Sequence, residues 1–159
     1  KSHLANRILR DTISSMNIRG GSLETYCETR WASIFDTTNS IIRIRPAIDK
    51  ILEEHPDIFT NQDVFGIASD ENDTFYTSCR RIALIFEPIK RVITLLESRM
   101  ACLADCFLGI VQLAVAFRRI PTSNNFRSLA IAAFNLRYQQ FDISPYVLTY
   151  FLHPHYRGH

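Results

Sequence analysis

The side chains best suited to hold a metal fall into two tight pairs: Cys102 and Cys106, four residues apart, and His153 and His155, two apart. Structural zinc needs four such ligands in paired short spacings, and nothing in the sequence brings these pairs together, so no metal is expected. A hydrolytic triad needs a serine or cysteine on a sharp turn with a histidine to orient it. The five histidines, His3, His55, His153, His155 and His159, lie near the ends or in loops and accompany no nucleophile motif. A two-metal nuclease or phosphoryl-transfer site needs carboxylates clustered on rigid elements. Asp57, Asp63, Asp70 and Asp73 instead crowd an irregular stretch, without the alternate-position ligands and closing glutamate of a calcium loop. No catalytic residue and no cofactor is expected.

Binding chemistry remains. Trp31, the single tryptophan, follows Arg30 and precedes Asp36 by five residues, at the expected start of a long helix. Two roles are open to it. It can stack on a nucleic-acid base while Arg30 holds a phosphate. It can equally anchor a core at the helix start, with Arg30 paired to Asp36 or Glu28. Arg80, Arg81, Lys90 and Arg91 lie on one charged helix, and Arg118 and Arg119 close an apolar run; these are candidate phosphate contacts, or a solvated face and a complement to a helix dipole. Charge is uneven: residues 1–75 carry 8 Lys/Arg against 12 Asp/Glu, and residues 76–159 carry 10 against 4. The basic half could meet an anionic partner.

The elements that must position these residues read as helices. Leu4, Ile8, Leu9, Ile13 and Met16 recur at helical spacing over 2–17, and Gly20-Gly21 supplies a stop. The glycine pair lacks the strand-to-helix setting of a phosphate cradle. A second helix runs from near Thr29 to about Arg43, with Trp31, Ile34, Phe35, Thr38, Ile41 and Ile42 on one side. Pro46 then marks a kink or a fresh start over 46–54. Residues 55–75 form a long acidic loop with room for one short element, and Asp73 suits a helix N-cap. A long helix over 74–98 carries Ile82, Ile85, Phe86, Ile89, Val92, Ile93 and Leu96, with a bend near Pro88.

Met100–Phe117 is almost wholly apolar. Asp105, Gln112 and the marginal length argue for a buried central helix packed on several sides, against a membrane span. Phe126–Phe141 is amphipathic, with Leu129, Ile131, Ala133, Phe134 and Tyr138. A last helical turn or two over 143–152 starts at Ser144-Pro145 and stops at Pro154. No stretch alternates as a strand does. The expectation is an all-α chain, one domain of about six helices with a long acidic loop. The four cysteines follow no disulfide spacing and read as reduced core residues of an intracellular protein. No signal peptide is visible, and the sequence opens without methionine inside a helical pattern, so it reads as part of a longer protein.

Three segments in order carry a family resemblance. Thr29-Arg30-Trp31-Ala32-Ser33-Ile34-Phe35-Asp36 resembles the Thr-Arg-Trp-x-Ser-x-x-Asp signature of hAT-superfamily transposases. Tyr150-Phe151-Leu152-His153-Pro154-His155-Tyr156-Arg157-Gly158 resembles the Leu-Asp-Pro-Arg-Tyr-Lys-Gly type of segment that follows it, with His153 in place of the usual aspartate. Ser2-His3 with Leu9 resembles the helix that precedes it.

In that family a helical insertion interrupts an RNase H-like catalytic domain. The resemblance implies that this chain is the insertion, without the catalytic carboxylates or the zinc-finger DNA-binding domain, and therefore not itself an enzyme. It further implies a nuclear setting, weak DNA binding at a transposon end or its flank that falls steeply with salt, and a tryptophan that stacks on an extruded base. The alternative of the same ancestry is a domesticated protein-interaction module with nuclear protein partners. A membrane-associated helical protein built on Met100–Phe117 is the third reading.

Overall fold

The structure, a computed structural model, describes residues 2–156, with the Ser2 side chain left aside. Seven α-helices follow one another: α1 Ser2–Ser15, α2 Ala32–Glu54, α3 Gln62–Ala68, α4 Thr74–Leu96, α5 Leu103–Arg119, α6 Arg127–Gln139 and α7 Ser144–Leu152. A single 3-10 turn covers Pro56–Ile58, and no strand occurs among the described residues. The chain is all-α, as its periodicity requires. No helix among the described residues is long and apolar enough to cross a membrane. Tertiary contacts divide the chain into two compact units, with the boundary between Ala83 and Leu84, inside α4.

In the first unit α1 packs on α2. Ile13, Ile44 and Ala47 form the buried centre, with Leu9, Ile18 and Ile48 against them. Completely burying an isoleucine such as Ile44 contributes roughly 1.5–3 kcal/mol. The stop of α1 is not the glycine pair. Asn17 takes a left-handed φ of 52°, its N–H reaches the Ser14 carbonyl, and the Ile18 N–H reaches the Ile13 carbonyl at 3.1 Å. That is the double hydrogen bond of a Schellman motif, and Ile18 packing on the Ile13 cluster supplies its apolar contact. Asparagine tolerates this conformation better than most residues, so it displaces glycine from the expected role. Gly20 and Gly21, with φ of 99° and 78°, shape the following turn. There a side chain on Gly20 would come within 3.0 Å of the Arg43 guanidinium.

Helix α2 also departs from expectation. It begins at Ala32 and runs unbroken through Pro46 to Glu54, so there is no fresh start at the proline. Pro46 is exposed and Ala47 beside it is fully buried. Burial of Ile44, Ala47 and Ile51 on one face offsets the hydrogen bond the proline cannot make. The acidic stretch holds the 3-10 turn and α3, and the Asn61 side chain caps α3 by accepting the Asp63 and Val64 N–H groups.

In the second unit Ile85, Phe117 and Ile120 are buried, with Ile89, Leu113, Ile131 and Phe134 packed around them. Phe117 meets Phe134 edge to face at 5.6 Å between centroids. Helix α5 starts at Leu103, later than the apolar run suggests, because Cys102 and Asp105 form a capping box. Ala104, Gly109 and Phe117 are buried against neighbours on several sides, as expected, but Val111 and Val115 stay exposed, so the helix is not wholly enclosed. Its partners are α6 and α7. Gly109 lets Val92 of α4 approach, since a Cβ there would stand 2.8 Å from Val92 Cγ1.

Candidate nucleic-acid interface

The turn that carries Arg30 and Trp31 is built by Ser33. Its hydroxyl accepts the Cys27 N–H at 3.0 Å and donates to the Arg30 carbonyl at 2.6 Å, while the Arg30 N–H closes onto the Cys27 carbonyl at 3.0 Å. The segment leading in is tied down by Ser40, whose fully buried hydroxyl accepts the Glu24 N–H at 3.0 Å. Trp31 therefore sits at the N-cap of α2 on a fixed turn. It is 67% exposed, which removes it from the core. Tyr26 on the same segment is half exposed. Arg30 is exposed and carries no ion pair among the described residues, so the expected pairing with Asp36 or Glu28 is absent. Asp36 is engaged elsewhere.

Cys27 lies on this turn, with its sulfur 3.3 Å from the Thr29 hydroxyl. The Thr29 side-chain hydrogen bond, then the Thr29 backbone, holds the thiol below the usual cysteine range. Glu24 and Glu28 on the same segment oppose a phosphate, so attraction here rests on the indole face and one guanidinium.

The other basic residues do not behave as one patch. Arg80 is bound to Asp73, which also takes Arg45, and the Arg45 guanidinium lies 4.6 Å from the centre of the Tyr76 ring. Asp73 is thus the hub of an arginine cluster and not the side-chain cap of α4. Its left-handed φ of 57° turns the chain, and Asp70 accepts the Thr74 N–H at 2.9 Å at the start of α4. Arg91 pairs with Glu87 at 2.5 Å, one turn back along α4. Arg81 and Lys90 have partners as well. Arg118 and Arg119, in the last turn of α5, are exposed and hold no ion pair among the described residues.

The structure brings one unexpected set together at the start of α5. The Tyr156 hydroxyl donates to Asp105 Oδ1 at 2.7 Å, the Cys102 N–H donates to Asp105 Oδ2 at 2.9 Å, and the His153 ring lies 5.1 Å from that of Tyr156. Both metal-ligating pairs thus border one place. No group of three or more possible ligands forms among the described residues, and Asp105 is occupied by hydrogen bonds. Of the segment that carries the family resemblance, Arg157 and Gly158 lie outside the described residues, as does His159.

No protein-family model, curated protein or solved structure matches the chain.

The sequence singled out Arg30 and Trp31 by residue type. The pinning by Ser33, the second aromatic Tyr26 and the Asp73 hub escaped it, because each depends on which backbone groups a short polar side chain meets after folding. The Ser-x-x-Asp spacing after Trp31 was the available signal for Ser33.

Proposed function

We propose that this chain is a non-catalytic helical domain of hAT-transposase ancestry that binds DNA in a nuclear setting, with Trp31 as the stacking residue and Arg30 as its phosphate contact. The supporting observation is the exposure of a tryptophan on a hydrogen-bonded turn next to an arginine that has no ion pair among the described residues. An exposed indole costs apolar contact with water, and holding it rigidly lowers the entropy lost when a base stacks on it. Stacking on an aromatic is worth about 1–3 kcal/mol per base.

The charge arrangement refines the expected salt response. Arg80 and Arg91 already hold carboxylates. Arg30 alone then supplies the phosphate contact at this site, so affinity declines with salt at a slope of about one charge, not steeply. The test is anisotropy of a labelled DNA hairpin with an unpaired base, titrated with wild type and Trp31→Ala at low salt. Weak binding that drops about tenfold in the variant supports the proposal. Equal binding by the two proteins, or none by either, refutes it.

A further inference from the structure

A groove of about 340 Å³ lies between α5 and α6 of the second unit, with Phe117, Ile131 and Phe134 in its floor and Arg118, Arg127 and Asn135 at its edges. Arg118 is exposed and holds no ion pair among the described residues. The Arg127 guanidinium donates to the Arg118 carbonyl at 3.3 Å, and its buried Nε finds no partner among the described residues. The segment that forms the groove holds no acid. From Cys106 to Phe141 there is no Asp or Glu, and there are four arginines, Arg118, Arg119, Arg127 and Arg137. The groove thus joins an apolar floor to a positive edge.

We infer that this groove docks an acidic amphipathic helix of a partner protein, a leucine-type side chain entering over Ile131 and Phe134 and a Glu or Asp reaching Arg118 and Arg127. Helical segments commonly dock by such spaced anchors, and a guanidinium holds a carboxylate in two parallel hydrogen bonds. The floor suits an aliphatic side chain better than a base. Phe117 is buried, and Phe134 meets Phe117 edge to face and Tyr138 at 6.2 Å, so both groove rings already have aromatic partners. The same α5–α6 face of a second copy cannot supply the carboxylate, since residues 106–141 offer none.

The test uses three synthetic helical peptides and backbone amide NMR of the whole chain. One peptide carries leucines and glutamates, the second lysines in place of the glutamates, and the third serines in place of the leucines. The Leu/Glu peptide alone is expected to shift Ala114, Ile131 and Asn135, and Arg118→Glu is expected to weaken it about tenfold. Arg118 is exposed, so the variant keeps its fold, which its own spectrum checks. The same variant should gain binding to the Leu/Lys peptide.

Absence of shifts, or shifts indifferent to Arg118→Glu, overturns the inference. Displacement of the Leu/Glu peptide by a single-stranded oligonucleotide would give the groove to nucleic acid. Self-association abolished by Arg118→Glu would give it to a second copy, and either result overturns it. Trp31→Ala should leave peptide binding unchanged, so this result and the DNA result fail independently.

Discussion

The Tyr156 hydroxyl donates a 2.7 Å hydrogen bond to Asp105, across a sequence separation of 51 residues. It fastens the segment after α7 to the first turn of α5, where the other Asp105 oxygen caps the Cys102 N–H. The Asp105 carboxyl is held below the usual carboxylate range, first by this hydroxyl and then by the Cys102 backbone. The same bond pushes the Tyr156 phenol above its usual range.

The pH dependence follows from the two directions. A depressed carboxylate contributes stability that is complete above its unfolded value, about pH 4, and is lost as pH falls through its lower folded value. A raised phenol contributes stability that is complete below its unfolded value, about pH 10, and is lost as pH rises through its higher folded value. Tyr156→Phe should therefore lower the urea midpoint by a constant amount between about pH 5 and pH 9. The gap should shrink on either side of that window; a gap that changes within it contradicts the assignment.

Gly109 and Val92 form a tight contact. Gly109→Ala gains helix propensity of about 1 kcal/mol but drives a Cβ against the branched, stiff Val92 side chain, an overpacking cost of about 1–3 kcal/mol. A net loss of about 1 kcal/mol is expected from chemical denaturation. Adding Gly109→Ala to Val92→Ala should then stabilise, because the clash is gone and the propensity gain remains.

Ser33 positions the candidate site without touching a ligand. Ser33→Ala leaves the Cys27 N–H without its acceptor, which should cost about 1 kcal/mol of stability. It should also weaken DNA binding several-fold with Trp31 intact. Ser33→Thr keeps the hydroxyl and should restore both readouts; a threonine variant as weak as the alanine one would remove Ser33 from this role.

Asp73 holds Arg45 and Arg80 while its backbone sits in the left-handed region. Asparagine tolerates that backbone, so Asp73→Asn tests the charge alone, with an expected loss of about 1 kcal/mol that shrinks in high salt. Asp73→Ala adds backbone strain and should lose more in circular-dichroism melts.

Helix positions were legible because apolar spacing of three and four survives any tertiary detail, as in Ile82 to Leu96. Ends were less so. Asn17 took the stop from Gly20, the Asp73 carboxylate went to Arg45 and Arg80, and α2 absorbed Pro46, each through a local choice of partners that composition does not decide. The exposure of Val111 and Val115 was hidden for a different reason: a wholly apolar helix looks the same in sequence whether one face or all faces find partners. For Trp31, residue type named the candidate and left its burial open. Only the fold turns it outward.

Trp31 is the single tryptophan, so its emission reports on the proposed site without a label. The most direct measurement is intrinsic fluorescence of the intact chain titrated at low salt with a DNA hairpin bearing an unpaired base. Saturable quenching is expected, weaker for a fully paired duplex and reduced only gradually by salt. Emission that stays unchanged while the hairpin demonstrably binds would contradict it.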